Sequence, residues 1–352
     1  MRVALRQVCV AAVAALLFIS QSPADAGFYT AEELGMPGES ATAKALNSTG
    51  QAVGRTHRPL GSNTWGIFWT GGKQKLNLYQ LRGGDYSTAN GLNDAGEVVG
   101  SSNTATALRA FLWKAGTGMQ DLGALPGDSG SEAFGINNAG TIVGDSSGPN
   151  GVQAVLWKRN GGIESLGWLP GGHYSKALAI NDGGAIAGSS DSALGTHAFL
   201  WTKGTGMQDL GTLPGDATSE AVAINNAGHV AGSSKGPEGM KAFLWSVDTG
   251  MQSLGTLLGA SFSKALGMNQ TDQVVGMSGD AAFLWSRETG MQDLNSLISG
   301  TPDFVLTHAA AINTRGQILA LGRDNHHPAS HLEHFSLRRV FLLTPVAAPP
   351  HP

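Results

Sequence analysis

The sequence predicts an all-β protein: a seven-bladed β-propeller of four-stranded antiparallel blades, its ring closed by an N-terminal strand that completes the last blade. Three observations predict it. The first is a landmark, Ala-x-x-Ile-Asn or a close variant followed by a Gly turn, whose Asn recurs as Asn47, Asn93, Asn137, Asn181, Asn225, Asn269 and Asn313. After one step of 46 every step is 44, a fixed period that signals a repeat architecture. The second is that each repeat divides into four short apolar or alternating runs bounded by Gly, Asn, Asp or Pro. The third is that the last repeat is split between the two ends of the chain.

Taken in order, the chain begins with Met1-Arg2 and Arg6, an apolar run from Val8 to Ile19, and then Ala24-Asp25-Ala26. A charged start, a short apolar run and a small-x-small site describe a secretory signal peptide over residues 1–26. The competing reading is a short membrane anchor, although the run is short for a span. Cys9 lies inside this segment, so cleavage leaves a chain with no Cys, and an exported protein without disulfides is held by core burial. The expected location is secreted, extracellular or periplasmic, with no membrane span after cleavage.

The propeller is expected over residues 27–344. In the fourth full repeat, strand a reads Ser175 to Asn181, strand b Ala185 to Ser189, strand c His197 to Trp201 and strand d Gly206 to Leu210. Asn181-Asp182-Gly183-Gly184 between a and b is hairpin-turn chemistry. No window carries a sustained helical period. The spacing from the landmark Asn to the Gly that ends strand b is seven residues in repeats one to six. The spacing from the strand-c Trp to the strand-d Leu is nine, as in Trp113 to Leu122. The b–c connection varies instead: Gly54 to Trp69 is 15 steps and Gly276 to Trp285 only 9. The d–a connection gains four residues between Leu294 and Asn313. In an up-and-down sheet the b–c and d–a loops share one edge, so all variation falls on one face, as on a presenting surface.

The ends fit each other. Tyr29 to Gly35 has the character of a strand d, and Arg338 to Thr344 occupies the strand-c place of a last repeat that has no strand d of its own. A closed ring leaves only short, protected edges. An open solenoid would call for polar capping repeats, and the sequence has none. Residues 345–352 read as a frayed Pro-rich tail. Recurrent Trp69, Trp113, Trp157, Trp201, Trp245 and Trp285 are expected to pack between blades. Ala89, Ala133, Ala177, Ala221 and Ala265 suit a crowded inner ring. Composition agrees: 51 Gly and only 14% charged residues suit many tight turns. A net charge of −4 gives no basic footprint for nucleic acid.

The strand-c motif His197-Ala198-Phe199-Leu200-Trp201 has counterparts in Arg109-Ala110-Phe111, Gln153-Ala154-Val155, Lys241-Ala242-Phe243 and Ala281-Ala282-Phe283. With the Ile-Asn-x-x-Gly turn and the Asp-Leu-Gly-x-Leu run, it resembles the HAF repeat of bacterial proteins of extracellular type. The resemblance spans nearly all of the chain after residue 26. It implies an exported repeat protein and brings no reaction or catalytic residues with it.

Enzyme motifs are sparse. There is no Gly-x-Ser-x-Gly elbow, phosphate loop, His-Glu-x-x-His or Cys pair. Two clusters stand out. One is Asp324 to His334, which gathers His326, His327, His331, Glu333 and His334. These are borderline metal ligands, but on a Pro-interrupted loop they read as a solvated excursion, and no metal or other cofactor is expected. The other is a ring five residues before each landmark Asn: Thr42, Thr88, Glu132, Lys176, Glu220, Lys264 and His308. The plain reading is a chain of inter-blade ion pairs. The functional one is a polar mouth on the variable face, flanked by Asp128, His173, Tyr174, Asp216 and Phe262.

Two functions follow from different classes. One is a binding or interaction module, monomeric, with a protein or glycan ligand at this mouth. The other is a propeller enzyme acting on an extracellular glycan, with Glu132, Glu220 and His308 as acid and base groups. The missing motifs favour the first.

Overall fold

The computed structural model describes residues 28–35, 40–57, 64–71, 74–325 and 338–346. The expected signal peptide, the His-rich cluster from His326 to His334 and the tail from 347 onward lie outside these residues. The described residues form seven sheets of four antiparallel strands, each paired in the order a-b-c-d. Blade 4 shows the unit: strand a is Ser175–Ile180, b is Ile186–Ser192, c is Gly195–Thr202 and d is Gly206–Asp209. Its a–b turn closes with the Asn181 N–H on the Ala185 carbonyl at 3.0 Å. Gly184 takes φ 81° there, a conformation glycine reaches without steric cost.

The seventh sheet takes its strands a (Phe304–Ile312), b (Ile318–Asp324) and c (Arg339–Pro345) from the C-terminal end and its strand d (Tyr29–Glu33) from the N-terminal end. The register runs from Tyr29 opposite Pro345 to Glu33 opposite Phe341, and the Leu34 N–H continues it onto the Val340 carbonyl at 2.8 Å. Arg339 locks the joint. Its guanidinium meets Glu33 through Nε–Oε1 at 2.9 Å and Nη2–Oε2 at 2.8 Å, and Asp324 at 2.7 Å. This forked pairing is the strong form of a charge-assisted hydrogen bond. Pro345 pairs with Tyr29, and the Val346 N–H reaches the Phe28 carbonyl. Strand c therefore ends at Pro345.

The apolar core is distributed as seven layers, one between each pair of neighbouring blades. Between blades 4 and 5, Ala187, Ala198, Ala221, Val230 and Phe243 are buried together, with Leu200 and Trp245 against them. The Trp residues do sit at the seams, as where Phe68 of blade 1 meets Trp113 of blade 2 edge-on at 5.8 Å. In blades 1 and 3, with Ile67 and Val155 two residues earlier, Trp69 and Trp157 are themselves buried; elsewhere the deepest aromatic is the Phe two residues earlier. Phe111, Phe199, Phe243, Phe283 and Phe341 are all buried to 1% or less, while Trp113, Trp201, Trp245 and Trp285 are half-buried.

Phe goes deeper because strand b offers it a glycine. Strand a of blade 5 shifts register between Ala221 and Ala223. A Cβ at Gly232 would then overlap the Glu220 carbonyl oxygen and lie 2.6 Å from the Phe243 ring. Blade 7 carries Ala320 at this place, and its strand a shows a second register shift, between Leu306 and His308. Leu343, which replaces Trp there, is fully buried. Its seam is thickened by a Phe304–Phe341 stack at 4.1 Å.

Two polar devices cross the seams. A Ser six residues before the landmark Asn is buried at the head of strand a. Ser219, for example, accepts the Ala198 N–H of the preceding blade at 2.8 Å and donates to the Gly211 carbonyl at 2.5 Å. Ser131, Ser175 and Ser263 repeat the pattern. At the other end of strand a, Asn181 accepts the Ala185 N–H on Oδ1 at 2.9 Å and donates from Nδ2 to the Asn225 carbonyl of blade 5 at 2.9 Å. Asn47, Asn93, Asn137, Asn269 and Asn313 also donate to the next landmark carbonyl, Asn313 closing onto Asn47. Asn225 turns instead to Asp272 at 2.8 Å. These asparagines are thus more than the turn formers the sequence suggests.

Candidate functional site

Strands a line the axis, so the residues at their two ends form two mouths. On the fixed-turn side six of the landmark asparagines, with Asp94, Asn138, Asp182, Asn226 and Gln270, surround a cavity of about 370 Å³. Its rim is bonded hand to hand: the Ser48 N–H donates to Asp94, Asp94 N–H to Asn138, Asn138 N–H to Asp182, Asp182 N–H to Asn226 and Asn226 N–H to Gln270. Below it the channel narrows to an aliphatic waist that includes Ala179, Val222, Leu266 and Ala310.

On the variable side stand the starts of strands a, with Glu132, Lys176, Glu220, Lys264 and His308, all half-buried. Lys44, one step further down the channel wall, is exposed to the channel solvent but enclosed by its walls. Its pKa is lowered by burial first, then by Arg55 and Lys264, against the pull of Glu132.

The alternating Glu-Lys-Glu-Lys chain of ion pairs does not form among the described residues. Glu132 and Lys176 reach outward instead, each to strand b of the preceding blade. Glu132 accepts from the Ser101 hydroxyl at 3.1 Å, and Lys176 Nζ sits 3.0 Å from Asp145 Oδ2. The reason is desolvation. Asp145 is only 3% exposed, and a buried carboxylate needs a partner more than a half-solvated Glu does. Burial pushes the Asp145 carboxyl above its ordinary value, against the pull of Lys176 and with the help of Glu132, its cross-strand neighbour. Burial opposes the charge on Lys176 too, but Asp145 outweighs it and holds the ammonium pKa above the usual lysine value. The same ammonium lies 5.4 Å from the Phe134 ring centre and 6.0 Å from that of Tyr174, within cation–π range. Glu132, Asp145, Lys176 and Tyr174 thus form one cluster at the seam of blades 3 and 4. Asp145 escaped the sequence reading; its signal was a lone Asp in the strand-b place held by Ser101, Ser189 and Ser233 in neighbouring repeats.

The other expected residues divide. Asp128 and Asp216 accept from the buried Ser146 and Ser234 hydroxyls at 2.7 Å each, so they build their own turns. The backbone N–H groups of His173 and Tyr174 are held by Asp191 Oδ1 at 2.7 and 2.6 Å, and the His173 side chain stands on the surface. His308 meets the Thr307 hydroxyl at 2.9 Å. Burial and then Arg338 lower its pKa, leaving the ring neutral at pH 7. Among the described residues no group of three or more His, Cys, Asp or Glu is placed to hold a metal, and no helix is long and apolar enough to cross a membrane.

A second concavity on the variable side lies off axis, between blades 6 and 7, with a volume of about 1080 Å³. It stands where the two loop-length changes meet. Blade 6 has its b–c turn cut to Ser278, Gly279, Asp280 and Ala281, and the d–a connection after Asp293 is the lengthened one. Phe262, expected near the axis, lines this groove.

Solved structures with this architecture include the oligogalacturonate lyase of Vibrio parahaemolyticus, with TM-score 0.58 and 12% identity over 89% of this chain and 93% of that one. The virginiamycin B lyase of Staphylococcus aureus is similar at TM-score 0.54 and 10% identity, over 90% of this chain and all of that one. TolB of Acinetobacter baumannii gives a TM-score of 0.46 and 12% identity over 84% of this chain, which spans only 64% of that protein. For the two lyases, at these identities, the likeness is one of fold. No curated protein matches the sequence. A family model does match, over residues 128–330, and the chain belongs to that family, described as protein of unknown function (DUF3466).

Proposed function

We propose that this chain is an exported binding module of HAF-repeat type that presents the variable face of its propeller to a ligand. One observation carries the reading: the two faces are built differently. The fixed-turn face is tied by a nearly continuous ring of side-chain to backbone bonds. The opposite face carries every change in loop length, the charged cluster and the larger groove. A rigid scaffold with variation on one face suits recognition. A glycan-array and pull-down screen with purified protein tests this. Binding that Lys176→Met or a substitution in the blade 6–7 groove abolishes, in a protein that still unfolds cooperatively, supports the face. Binding lost only on changing Asp94 and Asp182 would place recognition on the fixed-turn side and end this reading. Export predicts a mature protein beginning at Gly27; N-terminal sequencing that finds residues 1–26 retained would contradict it.

The second reading, an enzyme acting on a glycan, draws on the raised pKa of Asp145 beside Glu132, the kind of shift that marks a general acid. Against it, Asp145 is buried and bound to Lys176. Hydrolysis or elimination of an array glycan that stops in Asp145→Asn would favour it.

A further inference from the structure

The groove between blades 6 and 7 has a composition unlike the axial mouth. Its apolar wall includes Leu257, Leu258, Phe262, Met291 and Phe304. Leu258 is wholly exposed, at 106% relative accessibility. Most of the polar groups that line it are already engaged. The Asn295 side chain donates to the Leu306 carbonyl at 3.0 Å and accepts the Leu306 N–H at 2.7 Å. Asn325 donates to the Pro302 carbonyl at 2.9 Å. The Ser278 hydroxyl donates to the Phe262 carbonyl and accepts the Leu257 N–H.

Two charges stand apart. Arg323, half-buried on strand b of blade 7, makes no ion pair or hydrogen bond among the described residues. The carboxylates Glu33, Asp303 and Asp324 of blade 7 are all paired with Arg339. Asp280, exposed on the short turn of blade 6, is likewise unpaired among the described residues.

We infer that this groove binds an extended peptide segment in which a carboxylate, from an acidic side chain or a free C-terminus, lies beside a large apolar side chain. The inference rests on the binding-module reading and names the partner and its place. A guanidinium with no partner among the described residues offers a two-pronged site for a carboxylate. Phe, Met and Arg are enriched at protein interfaces, and the exposed Leu adds apolar area. Asp280 sets the direction: the ligand's acid lies toward Arg323 and a basic or amide donor toward blade 6. A sugar chain would need a dense set of free donors and acceptors, and here they are already bonded. The volume exceeds the ~300–1,000 Å³ of most small-ligand sites, which suits a segment of several residues.

The test pans a displayed random-peptide library against the full protein, with Arg323→Glu protein as counter-selection. Synthetic copies of enriched peptides are then titrated by calorimetry. The expected result is a consensus that places Asp, Glu or the terminal carboxylate within a few residues of Leu, Phe or Met. Binding should be one to one, weakened about tenfold or more by Arg323→Glu and several-fold by Leu258→Ser, and unchanged in Lys203→Ser, at an exposed residue of the blade 4 c–d turn on the fixed-turn side. Leu258→Ser keeps the test decisive if Arg323→Glu fails to fold, because that side chain touches solvent alone. No consensus, a consensus without an acid, or affinity indifferent to Arg323 and Leu258 overturns the inference. Peptides lost only in Lys176→Met overturn it while leaving the binding module intact. Polygalacturonate or hyaluronan bound in an Arg323-dependent way, with no peptide enriched, moves the groove to an acidic saccharide and overturns the peptide assignment.

Discussion

Replacing Asn181 tests the idea that the propeller is tied at its fixed-turn face by side chains that bridge blades. The Asn181 side chain is nearly enclosed, at 7% exposure for the residue. It makes one bond within its own turn and one to the next blade, both at 2.9 Å. Asn181→Ala removes both and strands the Ala185 N–H; the Asn225 carbonyl keeps the Gly228 N–H at 3.0 Å. At about 1 kcal/mol for the lost bond to blade 5 and about 1–3 kcal/mol for the Ala185 N–H left unsatisfied, the expected loss is about 2–4 kcal/mol. Asn181→Asp separates the two roles. It keeps the acceptor for the turn but faces a carboxylate oxygen toward the Asn225 carbonyl. That repulsion raises the folded-state pKa of the new carboxyl, so the folded chain holds its proton more tightly than the unfolded one. The variant should therefore be weakest at neutral pH and gain stability as pH falls through the carboxyl range, where the protonated oxygen can donate. Urea unfolding followed by tryptophan fluorescence at pH 7 and pH 4.5 reads both effects. A loss below about 0.5 kcal/mol for Asn181→Ala, or an Asp variant equal to the parent at both pH values, would refute the inter-blade tie.

Arg339→Ala should cost about 2–4 kcal/mol, because it strips a forked partner from Glu33 and leaves three carboxylates together at the ring joint; unchanged urea unfolding would show that the joint does not depend on it. Asp145 has a raised folded pKa, chiefly from burial. Such a group binds more protons folded than unfolded, so its contribution to stability falls as pH rises above the ordinary carboxylate value of about 4. Asp145→Asn should remove that fall, and a stability–pH curve parallel to the parent's from pH 4 to 7 would contradict it. Gly232→Ala should cost about 2–4 kcal/mol, through the clash with the Glu220 carbonyl and the Phe243 ring. A smaller loss would mean that blade 5 can take the second register shift seen beside Ala320.

The sequence alone determined the number of blades, the closure by the N-terminal strand and which face carries the loop variation. These follow from local facts repeated along the chain: one landmark per repeat, fixed turn spacings, and a split last unit whose halves complement each other. Periodicity also marked the ring of Glu132, Lys176, Glu220 and Lys264, because a repeat places equivalent residues in equivalent positions. What each side chain meets was decided only by the tertiary structure, since a seam joins residues from different repeats and period says nothing about reach across it. Lys176 turned to Asp145, 31 residues away in sequence, because burial makes that carboxylate the stronger claimant. Asp128 and Asp216 looked like rim residues but were taken up by the serines beneath them. The loop-length changes around Gly276 and Leu294 were legible one by one. That they open onto the same seam, and that Arg339 gathers Glu33, Asp303 and Asp324 at the joint, became visible only when blade 7 was closed by a strand from the other end of the chain.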